Sequence, residues 1–322
     1  MADLIGRTAR LLAETSQTPV RLLDRLRSGS LEDAVTGRTV LITGASSGIG
    51  RAAAVKVAAA GGAVVLVARG RDALEETRAE IEAAGGTAHV HPCDLSDLED
   101  IDRMAAEVLG AHGRVDVLVN NAGRSIRRSI GLSYDRMHDF QRTMQLNYFG
   151  AVKLILALLP QMRERRSGHI VNVSSTGVQL SVPRFSAYVA SKAALDAFSR
   201  CIAPEIQGDR VRITTIYMPL VRTPMIAPTG MYKSFPALTP EKAAGLVCTA
   251  IAHRPKRLAT PFGNLVELAY AVNPSSVDLV VNNAYQLFPD SHAARGGEGE
   301  SEEGPASGVA GLFARVLRGP HW

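Results

Sequence analysis

Cysteine is scarce in this chain: three residues in 322, Cys93, Cys201 and Cys248, far apart and in no paired spacing. A disulfide framework is excluded, and a reducing compartment follows, with the cytoplasm as the expected location. Aromatic residues make up only 5% of the chain, too few for a surface that stacks nucleic-acid bases. The arginines behind the formal charge of +5 are scattered along the chain, so they predict a solvated basic surface and no nucleic-acid partner. No run approaches the ~18 apolar residues of a spanning helix, and the N-terminus has no apolar leader. The stretch "HVHPCD" (89–94) has no second ligand cluster to join, so no metal is expected.

What is present reads as a packed α/β protein. Hydrophobic residues form 46% of the chain and charged residues 21%, close to the soluble globular average. From Thr39 onward, short β-branched runs alternate with Ala-, Leu-, Glu- and Arg-rich stretches. Strands are expected at 39–43, 63–68, 87–93, 115–121, 169–175, 212–218 and 257–260, and helices at 71–84, 96–111 and 134–164. Continuous apolar strands separated by helices predict a Rossmann-type doubly wound parallel sheet of about seven strands, with helices on both faces. The expected organisation is an N-terminal helical extension over 1–36, with a short helix at 18–27. A catalytic domain follows over 37–290, then a Gly/Ser/Glu-rich linker over 291–308 and a short amphipathic helix over 309–322. In that last segment Val309, Leu312, Phe313, Val316 and Leu317 follow one helical face, which suggests peripheral contact with a membrane or docking on protein.

Two short patterns carry chemistry. "TVLITGASSGIGRAA" puts Gly44, Gly48 and Gly50 between a strand and a helix. There a dinucleotide pyrophosphate meets free backbone N–H groups and the positive helix end. "SAYVASKAALDAF" (186–198) puts Tyr188 and Lys192 one helical turn apart, on one face. The spacing G-x-x-x-G-x-G, together with "NNAG" (120–123), Asn147, "NVSS" and Y-x-x-x-K, resembles the short-chain dehydrogenase/reductase family over about residues 37–265.

That resemblance implies an oxidoreductase with Tyr188 as proton donor and Lys192 holding the nicotinamide ribose. Ser175 steadies the substrate oxygen and Asn147 supports a relay water. Ser174 is the rival of Ser175, because strand alternation lets only one of them face the site; the family spacing favours Ser175. The resemblance further implies a dinucleotide lined by Thr43, Gly44, Ser46, Ser47, Gly48, Ile49, Gly50, Asp94, Leu95, Asn121, Ala122, Gly123, Pro219, Val221 and Thr223. Asp94 would meet the adenine amino group, and Asn120 would brace the sheet or form a strand-end turn. A lysine cation one turn away is expected to lower the Tyr188 pKa.

The second strand ends "VLVARGR". Ala68 stands where an NAD enzyme would carry an acid, and Arg69 follows, so the cofactor is expected to be NADP(H), with Arg69 on the 2′-phosphate. On the substrate side, Met218, Leu220, Val221, Met225, Ile226, Met231, Tyr232 and Phe235 suggest an apolar lid. Leu220 and Met225 are the expected substrate contacts beside Ser175 and Tyr188. Leu220 replaces the glycine that many family members carry there, which puts the usual turn in question.

Stretches from "NAGRSIRRSI" to "YQLFPDS" resemble the reductase domain of bacterial fatty acyl-CoA and fatty aldehyde reductases. Arg124, Arg127 and Arg128 could then meet a CoA or carrier phosphate. The expected reaction is NADPH-dependent reduction of a long-chain aldehyde or β-keto acyl lipid by a homodimer or tetramer. The alternatives are an NADP-dependent dehydrogenase of hydroxylated lipids or steroids, and a non-catalytic NADPH sensor, which would have no need for a proton donor.

Overall fold

The structure is a computed structural model that describes residues 29–226, 237–287, 290 and 294. The expected helices at 18–27 and 309–322, nearly all of the 291–308 linker, and Met231, Tyr232 and Phe235 lie outside the described residues.

Seven strands form one sheet: β1 Thr39–Thr43, β2 Ala63–Ala68, β3 Thr87–Pro92, β4 Val117–Asn120, β5 Gly168–Ser175, β6 Val211–Met218 and β7 Arg257–Leu258. Their order is β3-β2-β1-β4-β5-β6-β7 and every pairing is parallel. All five residues of β1 are buried. Alternation divides them, so Val40 and Ile42 enter one core and Leu41 the other. A strand that faces protein on both sides must be apolar throughout, as the sequence had suggested.

Helices α1 Leu31–Val35, α2 Gly48–Ala59, α3 Arg71–Ala83 and α4 Leu98–His112 come first. They are followed by α5 Met137–Met144, α6 Ala151–Glu164, α7 Thr176–Leu180, α8 Ser186–Ile206 and α9 Pro240–His253. The first core packs the sheet against α2 and α9 through Ala53, Val57, Ala243 and Val247. The second packs it against α4, α6 and α8 through Met104, Ile155, Leu158 and Leu195. Two further helices, α10 Pro261–Val272 and α11 Pro274–Leu287, end the described chain.

The stretch 134–164, expected as one helix, is α5 and α6 joined by a π-helical turn over Gln145–Gly150. Gly150 permits the fit, because a Cβ there would stand 2.1 Å from the Leu95 carbonyl oxygen. Several ends are capped by local chemistry. Asp97 accepts from Glu99 and Asp100 backbone N–H at the start of α4, and Thr239-Pro240 and Thr260-Pro261 open α9 and α10. Among the described residues, five other than glycine have left-handed backbone: Arg166, Ser181, Arg184, Arg210 and Arg254.

His169 on β5 is wholly buried. Thr214 spends its hydroxyl proton on the Pro255 carbonyl (2.5 Å), so the 2.9 Å contact to His169 Nε2 is a bond donated by the ring. Nδ1 has no hydrogen-bond partner among the described residues. Burial, with Arg254 and Arg212 adding repulsion, pushes its pKa down to about 3 from 6.5. The unfolded chain therefore takes up this proton first, and stability drains away as pH falls from 6.5 towards 3. The drain should reach at most about 1.4 kcal/mol per pH unit. Urea unfolding between pH 7 and pH 4 should show a shallower acid slope for His169→Asn than for the parent; equal slopes would remove His169 from this role.

Candidate active site

A parallel sheet opens a crevice where neighbouring strands send their connections to opposite faces, here between β1 and β4. A cleft of about 710 Å³ occupies that place, within the size range of small-molecule sites. It gathers Gly44, Ser46, Ser47, Gly48, Ile49, Asn121, Ala122, Gly123, Ser175, Tyr188, Lys192, Pro219, Leu220, Val221, Thr223 and Met225. Residues from five separate stretches of sequence thus face one space.

The first wall is the turn into α2. Gly44 and Gly48 have left-handed backbone, with φ of 66° and 53°, where a side chain is disfavoured. A Cβ on Gly44 would also press on Ala122 at 3.0 Å. Ser47, the N-cap of α2, makes no side-chain capping bond, so the first-turn N–H groups remain directed at the cleft. Gly50 serves packing instead, since a Cβ there would lie 2.1 Å from the Gly44 carbonyl oxygen.

Thr43 lies behind the turn. Its hydroxyl donates to Val119 O (3.2 Å) and accepts from Asn121 N (2.9 Å) and Ala122 N (3.0 Å). Asn120 is a brace: buried within β4, it donates to Asn172 Oδ1 (2.9 Å), and Asn172 in turn donates to Ser199 Oγ (2.8 Å).

The second wall carries the ionisable groups. Ser175 ends β5 and caps α7, its Oγ accepting from Gly177 N at 3.0 Å, and its hydroxyl bonds Tyr188. Ser174 also borders the cleft, but its Oγ is buried with no partner among the described residues. Lys192 is 4% exposed and donates to the Val173 carbonyl at 2.8 Å. Burial brings its pKa down to about 8.

Asn147 is presented by the π-turn, a device frequent at functional sites. Its Nδ2 donates to Arg124 O (2.9 Å) and Ser191 Oγ (2.9 Å), and its Oδ1 accepts from Arg124 N (2.8 Å). One Oδ1 lone pair is left for a water. Both Asn147 Oδ1 and Lys192 Nζ lie beside Gly123, 3.2 and 3.3 Å from where its Cβ would be.

One expectation is corrected here. Lys192 does not lower the Tyr188 pKa in this arrangement: burial raises it, opposed only by the Ser175 hydrogen bond. The lysine spends its closest contact on Val173, and its own burial lessens its hold on a proton.

Arg69, Asp94 and Leu95 stand outside the cleft. Arg69 is exposed at the end of β2. Asp94 follows β3, with Oδ1 accepting from Ser96 N (2.9 Å) and Oγ (2.5 Å). Burial opposes ionisation of Asp94, but the Ser96 bonds and Arg69 prevail and hold its carboxyl below the usual range. Leu95 sends its side chain into the second core. Leu220 adopts no left-handed backbone, and its carbonyl accepts from Leu238 N at 2.9 Å, so the turn forms without glycine.

Some lining residues had no signal in the sequence. Ile126, Leu180, Val182, Phe185 and Val189 give the substrate side an apolar wall. Asp139 and Arg142 join Arg127 and Arg128 at its edge. Arg128 is committed to Asp139 (3.1 Å) and to the Ala294 carbonyl, which turns its charge towards holding the wall. No group of three or more His, Cys, Asp or Glu able to hold a metal occurs among the described residues.

Comparison with known proteins agrees with this geometry. A family described as short chain dehydrogenase matches residues 38–232. An uncharacterized oxidoreductase of Mycobacterium tuberculosis is 57% identical, over 94% of this chain and 89% of its own. A fatty acyl-CoA reductase of Acinetobacter baylyi is 52% identical, over 89% of this chain and 96% of its own. Among solved structures, a metagenomic short-chain oxidoreductase in complex with NADP is 31% identical with a TM-score of 0.59, over 70% of this chain and 99% of that one.

The packing of α2 on the glycine turn supplies a test that needs no ligand. Gly50→Ala should cost at least about 2 kcal/mol, or roughly 4–8 °C in Tm for a chain of this size. A thermal scan showing an unchanged Tm would mean that α2 can move away from the turn at no cost.

Proposed function

The chain belongs to the short-chain dehydrogenase/reductase family, and on that footing we propose that it uses NADPH to reduce the carbonyl of a long-chain acyl compound, with Tyr188 as the proton donor. The observation that carries this reading is the convergence of Ser175, Tyr188 and Lys192 with the glycine turn on one cleft. NADPH, when bound, supplies the hydride that goes to the carbonyl carbon.

The residues present fit that cofactor. Gly44, Gly48 and the open first turn of α2 suit a pyrophosphate. Arg69, next to Ala68 and exposed, suits a 2′-phosphate that a carboxylate at position 68 would repel. Asp94, near enough to Arg69 to feel its charge, suits the adenine end. Lys192 and Asn147, which meet beside Gly123, suit the nicotinamide ribose.

The rest of the chemistry belongs to the chain. The raised pKa keeps Tyr188 a phenol at neutral pH, the form needed by a group that gives a proton to an oxygen becoming an alkoxide. Ser175 Oγ already accepts from the Gly177 N–H. Its own proton is therefore directed outward, to the Tyr188 oxygen or to the substrate oxygen beside it. Lys192, largely charged below pH 8, is placed to hold the nicotinamide ribose and to pass a replacement proton to Tyr188 through the site that Asn147 borders. The apolar wall around Phe185, Val189 and Met225 suits an alkyl chain. The named activity of the Acinetobacter relative points to the same substrate class. On the outer helices, exposed Phe149 and Leu156 offer a face for a second copy.

Tyr188→Phe should lower turnover at least about a hundredfold while leaving NADPH binding nearly intact. The check is NADPH oxidation against a panel of aldehydes, acyl thioesters and ketosteroids, beside a direct titration of cofactor. A variant that keeps most of its rate would dismiss Tyr188 as the donor, and a parent active only on ketosteroids would overturn the substrate class. Arg69→Ala should weaken NADPH by roughly tenfold or more, the worth of a charge-assisted phosphate contact, with little effect on NADH. Equal losses for the two cofactors would refute the role of Arg69.

A further inference from the structure

The hairpin α10–α11 departs from the rest of the fold. From Glu267 to Ser276 ten consecutive residues are exposed, so the distal half of α10 opens to solvent over much of its surface. That half reads Leu268-Ala269-Tyr270-Ala271-Val272. At 100° per residue, Leu268 and Val272 point one way and Tyr270 nearly the opposite way, with the two alanines between. Val272 is 78% exposed, and on α11 Leu279 is 62% exposed. Over 261–287 the only charged residues are Glu267 and Asp278. Glu267 is held by Arg257 (2.5 Å) and by Gln179 (3.0 Å) at the base of the helix.

A surface helix of a water-soluble domain shows a polar face to solvent; one that is apolar all round belongs in an apolar medium. A flat partner protein, including a second copy, would cover one side of α10 and leave the other in water. A fluid apolar phase covers all of them. We propose that the α10–α11 hairpin seats this protein on a lipid surface, with the apolar turns of α10 immersed among acyl chains. This inference goes beyond the reading of the cleft and does not depend on it, because lipid binding is measured without turnover.

The hairpin is fastened beside the cleft at both ends. Gln179 of α7, the helix that Ser175 caps, donates to Asn264 Oδ1 (3.1 Å) and to Glu267 on α10. At the far end, the Arg184 guanidinium stacks on the Tyr285 ring at 3.9 Å and pairs with Asp290 at 3.1 Å. Asp290 also accepts from Ser129 N at 3.1 Å. Val182 and Phe185, on either side of Arg184, line the cleft. A lipid surface that holds the hairpin therefore lies next to the cleft's apolar wall.

The test is flotation of the full chain with vesicles of phosphatidylcholine alone and of phosphatidylcholine with an anionic phospholipid. The parent should float with both, with little dependence on salt, because the hairpin has no cationic residue to answer to headgroup charge. A Leu268→Glu/Val272→Glu double variant should bind at least about tenfold more weakly. Both substituted side chains are exposed, so its Tm and its turnover of a short soluble aldehyde should match the parent. The proposal is overturned if the parent fails to float, or if the double variant floats equally well. Binding confined to anionic vesicles and abolished by salt would overturn it in favour of a basic segment elsewhere. A parent oligomer that the double variant breaks into monomers would overturn it in favour of a second copy of the chain.

Discussion

The site depends on the junction between β1 and β4. The connections of neighbouring strands part there to opposite faces of the sheet, and a parallel sheet cannot close the gap with backbone. The single hydroxyl of Thr43 holds the two strand ends together, using its donor and both acceptor positions across the gap. Asn121 adds a return bond from Nδ2 to Thr43 O at 2.9 Å. The glycine turn rests on this junction, α2 rests on the turn through Gly50, and Gly123 carries the chain from it to Asn147 and Lys192. A small shift between the strands would displace both walls of the cleft.

The second constraint is the burial of a lysine and a tyrosine in one place. Each loses solvation, and burial moves each towards its neutral form: the phenol is held up and the ammonium is pulled down. The two groups therefore titrate further apart than they would in water, the ammonium giving up its proton before the phenol does. The hydrogen bonds around them, from Gly177 N to Ser175 Oγ and from Lys192 Nζ to Val173 O, each tie a side chain to a backbone group. Their geometry is thus set by the strand and the helix rather than by mobile side chains.

Much of this was legible in the sequence because it rests on local rules. Strands apolar on both faces can only be read as buried, and all seven appeared with both ends within two residues of those expected. The glycine turn and the Tyr188–Lys192 pair declare themselves by spacing. What escaped was set by distance. The π-turn at Gln145–Gly150 adds one residue to a helix whose composition does not change, and the carbonyl that its Gly150 accommodates belongs to Leu95, about fifty residues away. The charge state of Tyr188 escaped because spacing shows that a lysine is near but not that it is buried and bonded to Val173. The hairpin α10–α11 offered Thr-Pro and Asn-Pro starts at 260–261 and 273–274, but no apolar stripe, because its apolar residues surround the helix instead of marking one side.

Arg184 shows how the chain trades backbone ease for shape. With φ at 70° it occupies a conformation that suits glycine and that costs other residues roughly 1 kcal/mol or more. Glycine there would relax the main chain, yet it would release Tyr285 and Asp290 together. Arg166 and Arg210 carry the same kind of strain on the outer surface, far from the cleft mouth. The molecule thus holds reserves of stability that glycine could recover at the periphery, while at position 184 the strain is inseparable from the form of the mouth it closes.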